Sequence, residues 1–173
     1  MRAPLLACAA VALLISIIPL SIPPANAAEL TGTWQGAGTL GGEVTEITVG
    51  FSEEGFLLFT YEDNRGNVRT VQLDEPGQVR FVPPGGGVKT LRIVSVDKRP
   101  GGLSYILETS FERTSGGILD QQYASEEYEF KLTSEGLAFR RVSRAASYVG
   151  GRGGPMGGPK DQEVFEAILK KVD

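Results

Sequence analysis

The chain has no histidine, one cysteine and one tryptophan, and each scarcity closes off chemistry. Without histidine there is no Ser-His-Asp or Cys-His nucleophile and no His-ligated haem, and most zinc sites lose their usual donors. Acid–base work would have to rest on carboxylates, tyrosine or lysine. Cys8 sits in the first 27 residues, so the remainder has no disulfide and its stability must come from its core. No Asn-x-Ser/Thr sequon occurs either. Basic residues are too few and too scattered for a phosphate-binding face: 17 Lys and Arg stand against 21 Asp and Glu, a net charge of −4. A nucleic-acid partner is therefore not expected.

Long apolar runs are absent except at the N-terminus. There Arg2 precedes the apolar stretch Leu5 to Leu20, and Ala25-Asn26-Ala27 places small residues where a signal peptidase reads. Residues 1–27 are expected to be a secretory signal peptide, cleaved before Ala28. The apolar run is short of the roughly 20 residues a membrane span needs, and Pro19, Pro23 and Pro24 break its end. Leu5-Leu6-Ala7-Cys8 resembles a lipoprotein box, but too few residues precede Cys8 for a charged region and an apolar core. The mature chain carries no transmembrane segment. Without disulfides or sequons, the expected destination is the bacterial periplasm or the medium.

Several motifs reduce to turns or solvated surface. Asp63-Asn64-Arg65-Gly66-Asn67 puts a cation where a calcium loop needs an oxygen ligand, and no bidentate Glu follows at the required spacing. Neither Gly85-Gly86-Gly87 nor Gly150-Gly151-Arg152-Gly153-Gly154 has the Lys-Ser/Thr ending of a P-loop. Glu53-Glu54 lies in a turn. Within Glu126-Glu127-Glu129, adjacent acids on a strand point to opposite faces. No constellation supports a named reaction, so no enzyme and no cofactor are expected.

From Leu30 to Ser143 the chain alternates short β-type runs with turn clusters such as Asp74-Glu75-Pro76-Gly77 and Thr114-Ser115-Gly116-Gly117. Ile47, Val49 and Phe51 share one side of a strand, as do Leu103, Tyr105, Leu107 and Phe111, and Tyr128, Phe130 and Leu132. One face is buried and the other wet. The spacing predicts strands near 31–38, 43–51, 56–62, 67–73, 78–82, 88–97, 103–113, 119–132 and 136–143. A one-sided meander of this length favours an all-β fold: a closed or nearly closed antiparallel up-and-down β-barrel of about eight or nine strands, with a β-sandwich as the alternative. The barrel domain is expected over 28–144, a Gly-rich linker over 145–159, and a C-terminal amphipathic helix over 160–173. Asp161 would cap that helix, with Val164, Phe165, Ile168, Leu169 and Val172 as its apolar stripe. It would pack on the barrel wall or dock on an envelope protein.

The opening strand reads Gly32-Thr33-Trp34-Gln35-Gly36. A Gly-x-Trp on the first strand of an antiparallel meander resembles the lipocalin-like, calycin-type barrels. The resemblance implies that Trp34 closes one end of the barrel beneath an arginine from the last strand, here Arg141, and the small Gly32, Gly36 and Gly38 would leave room for it. It also implies a small apolar or amphipathic ligand in the barrel, with Tyr61, Tyr105, Phe111 and Tyr128 as candidate lining residues. The competing expectation is a filled barrel acting as a structural or interaction protein of the envelope. Biotin-binding barrels line their site with several Trp, and nitrobindin-like barrels hold haem through His. This chain matches neither.

Overall fold

The computed structural model describes residues 30–151 and 154–172. The expected signal peptide lies outside them. Eleven strands run in chain order: β1 (Gly32–Leu40), β2 (Glu43–Phe51), β3 (Leu57–Glu62), β4 (Val68–Gln72), β5 (Gly77–Phe81), β6 (Val88–Arg99), β7 (Gly102–Ser115), β8 (Ile118–Thr133), β9 (Gly136–Gly151), β10 (Gly154–Pro159) and β11 (Glu163–Val172). The β7–β8 hairpin turns on Gly116-Gly117, whose φ values of 57° and 78° suit the tight two-residue turn that matches strand twist.

All the strands join one antiparallel sheet, in the order β4-β3-β2-β1-β11-β9-β8-β7-β6-β5, with β10 on the distal half of β9. The sheet is curled but open, a half-barrel rather than the expected closed cylinder, and a two-sheet sandwich is not formed. The main path ends at β4 and β5, consecutive in the chain yet without a ladder between them. The corner joining them explains why. Leu73 donates its N–H to the Leu57 carbonyl at 2.9 Å and accepts the Tyr105 hydroxyl at 2.8 Å, which turns this corner into the core. Pro76 follows, with no N–H to offer. A single backbone bond, Asn64 N–H to the Val82 carbonyl at 2.8 Å, spans the far end of the seam.

The C-terminal segment is a strand, not the expected helix. Phe165, Ala167 and Leu169 are buried, whereas Val164, Ile168 and Val172 are 41–44% exposed. The segment therefore follows a period of two. β11 lies between β1 and β9, pairing Trp34 with Lys171 on one side and Phe139 with Ala167 on the other. A ladder on each side bonds alternate residues, so the two together satisfy nearly every N–H and C=O of β11, and this outweighs the helical stripe in the same ten residues. The expected dock for an envelope partner through a free helix goes with it. The described part of the stretch expected to be a linker is also strand, 145–151 in the distal part of β9 and 154–159 as β10.

β1 is shaped to receive β11. A Cβ on Gly36 would sit 2.6 Å from the Ile168 carbonyl oxygen and 2.8 Å from Leu169 Cδ2, and one on Gly38 would sit 2.7 Å from Phe165 Cζ. The glycines make room for β11 rather than for an arginine over Trp34. The inner face then fills with Trp34, Phe51, Leu103, Tyr105, Phe130, Leu137, Phe139, Phe165 and Leu169. Phe130 packs edge-on against Phe51 at 5.1 Å and stacks on Phe139 at 4.8 Å.

Candidate functional site

Directly paired residues on neighbouring strands share a face, so the registers of β6 to β10 map the inner surface in rows. The deepest row is apolar, Leu103 beside Phe130 and Phe139, and the next sets Tyr105 beside Tyr128 and Arg141. One step out, Leu107 meets Glu126 and Ser143. The next row is Leu91, Thr109, Ala124 and Ala145, and beyond it lie Lys89, Phe111, Gln122 and Ser147. Side chains shrink at Thr109, Ala124 and Ala145, between longer ones on either side. A recess results.

That recess is a cleft of about 390 Å³, whose walls include Lys89, Phe111, Gln122, Ser147 and Lys160. Phe111 is the apolar wall. Its ring lies against the backbone of Gly87, where φ is +82° and any Cβ would meet the ring at 2.7 Å. Lys160 stands between β10 and β11, and its N–H donates to the Ala145 carbonyl at 2.8 Å. It therefore flanks the small-residue row on the side opposite Leu91.

Of the four expected lining residues, only Phe111 reaches this cleft. Tyr105 is 1% exposed, and its hydroxyl is committed twice: it accepts the Leu57 N–H at 3.0 Å and donates to the Leu73 carbonyl. Burial pushes its ionisation up to about 12, against the opposing pull of the Leu57 N–H. Tyr128 is half-buried between Phe130 and Phe139, and it donates to Glu126 at 3.2 Å. Burial first, and the Glu126 charge second, push Tyr128 up to about 12 as well. Tyr61 stacks on Phe81 at 4.2 Å and spans the open seam from β3 to β5. Tyr105 and Tyr128 are register neighbours; Tyr61 and Phe111 stand apart from them.

Trp34 is buried at 6% and donates its indole N–H to the Leu30 carbonyl at 2.9 Å. The cation over its ring is Lys171, at 5.9 Å, while Arg141 stands 6.0 Å from Phe165. The difference follows from register, because Trp34 pairs with Lys171 and Arg141 pairs with Phe165.

No family model, curated protein or solved structure matches the chain. The curled antiparallel meander is compatible with a calycin-like architecture, and the likeness stays at that level.

Among the described residues, the adjacent acids Glu126 and Glu127 point apart. Glu53 and Glu54 are exposed in the β2–β3 turn. Glu127 faces outward and pairs with Arg144 at 2.9 Å, whereas Glu126 faces inward to Tyr128. Among the described residues, no group of three or more Asp or Glu is placed to hold a metal ion. A second, open trough of about 840 Å³ lies on the outer face over Arg92, Glu108, Tyr123 and Arg144, but its arginines are already paired with Glu108 and Glu127.

Sequence reasoning missed Lys89, Gln122, Ala124, Ala145, Ser147 and Lys160. Alternation carried further would have found most of them. Running back from Phe130 through Tyr128 and Glu126 reaches Ala124 and Gln122, and running on from Phe139 through Arg141 and Ser143 reaches Ala145 and Ser147. The signal was a face turning from large and apolar to small and polar. Lys160 had no such signal, because its face is set by pairing with Ala145.

Proposed function

We propose that the protein is an exported, non-catalytic, lipocalin-like binding protein that holds one small amphipathic ligand against the inner face of its half-barrel. The ligand lies over Thr109, Ala124 and Ala145 rather than in the apolar core. The observation that carries this reading is the recess itself. At about 390 Å³ it falls within the roughly 300–1,000 Å³ of small-molecule sites, and it sets one aromatic wall among a few polar groups. Export is supported by the charged, apolar and small-residue order of residues 2–27.

The experiment is expression of the full precursor in a bacterial host, followed by mass spectrometry of the exported protein under native and denaturing conditions. Export predicts a chain beginning at Ala28. Binding predicts a co-purifying small molecule, or uptake of an amphipathic dye in one-to-one ratio. Ala124→Leu, which fills the recess, should abolish uptake without changing the far-ultraviolet circular dichroism. A chain that carries nothing and takes up no amphipathic probe would instead favour the filled-barrel interaction protein.

A further inference from the structure

The charge distribution narrows the ligand. We infer that the molecule held in this recess is an amphipathic anion, its apolar body against Phe111 and its negative group between Lys89 and Lys160. The inference rests on the binding reading above and adds the sign of the charge.

Two observations carry it. Lys89 and Lys160 approach the cleft from opposite ends: Lys89 pairs in register with Phe111 on the β6 side, and Lys160 is hydrogen-bonded to Ala145 on the β10–β11 side. Among the described residues, neither lysine enters an ion pair, and the cleft that both line has no Asp or Glu in its walls. In a chain with net charge −4, acids are in surplus. A cleft walled by two lysines and by no acid is where a negative group is stabilised.

The acids around the recess are engaged, set back or, like Asp161 next to Lys160, part of the outer trough and not of the cleft. Asp120, one row further out, is 3.7 Å from Arg113. Glu126, one row deeper, accepts the Tyr128 hydroxyl. Glu163 pairs in register with Ser143 and is exposed. None of the three lines the cleft. Gln122 and Ser147 line the same cleft as neutral donors, and such groups together with a lysine ammonium can bind the oxygens of a carboxylate or sulfonate.

The test compares two fluorescent dyes on the exported protein. Anilinonaphthalenesulfonate and N-phenylnaphthylamine share an aromatic body and differ by one sulfonate. The anionic dye should bind about tenfold or more tightly than the neutral one, and salt should weaken only the anionic dye. The double variant Lys89→Gln and Lys160→Gln should erase that preference, bringing the anionic dye's affinity down to that of the neutral dye. If both dyes bind equally, or the double variant keeps the preference, the charge inference falls while the binding reading stands. If neither dye binds the wild-type protein, the binding reading falls and takes this inference with it.

Discussion

The Tyr105 hydroxyl is a two-way tie between β7 and the corner after β4, accepting from Leu57 and donating to Leu73. Tyr105→Phe would keep the ring and strand both backbone groups in the core. It should cost about 1–3 kcal/mol, read as a lower urea midpoint with an unchanged slope. The same residue makes stability fall in alkali. Unfolded tyrosine ionises near 10, while the folded Tyr105 and Tyr128 hold their protons to about 12. Their contribution is fully present below pH 10 and is lost as pH rises through 12, because the unfolded chain releases those protons first. The melting temperature should therefore drop between pH 10 and 12. The drop should be shallower in Tyr105→Phe and in Tyr128→Phe.

At the scale of elements, β11 is the strand that holds the halves of the sheet together, since β1 reaches β9 only through it. Removing residues 163–173 takes away the buried Phe165, Ala167 and Leu169 and uncovers the edges of β1 and β9. Truncation of Phe165 to alanine should alone cost about 3–5 kcal/mol and of Leu169 about 2–5. Against a total of about 5–15 kcal/mol for a domain, loss of the whole strand should unfold the protein. Circular dichroism of the shortened chain would check this: a sheet that still melts cooperatively near the wild-type temperature would contradict it. Gly38→Val tests the same contact from β1. Its side chain would push into Phe165 and the Glu166 carbonyl, so its destabilisation should exceed that of Gly41→Val, where a Cβ meets nothing but φ is +58°.

Across the whole molecule, protection should follow the openness of the sheet. Amides of β8 and β9 near Phe130 and Phe139 sit between paired strands over the filled core, and they should exchange slowest. β4, β5 and the short β10 each leave one side unpaired and should exchange fastest among the strands. Hydrogen exchange read by mass spectrometry would decide it; equal protection of β4, β5 and β8 would mean that the seam closes in solution. β4 and β5 are both short, and both carry charge, with Arg69 on the inner face of β4 and Arg80 on β5. Short, charged edges discourage pairing with a second chain.

The sequence by itself determined that the chain is β-rich over Leu30 to Ser143, where most of its strands begin, which side of β2, β7 and β8 is buried, and that histidine-dependent chemistry is out of reach; that β9 runs on to Gly151 was not legible in it. Alternation of period two and glycine at the turns act within a few residues, so they can be read locally. Three matters were decided only by the tertiary structure: the strand state of 163–172, the open seam between β4 and β5, and the recess over Ala124. Glu163–Val172 carries a helical and a strand pattern at once, and only the waiting edges of β1 and β9 choose between them. The seam depends on Tyr105 reaching Leu73 across 32 residues. The recess exists because three small side chains from three strands fall in one row, a coincidence of register that no single strand encodes.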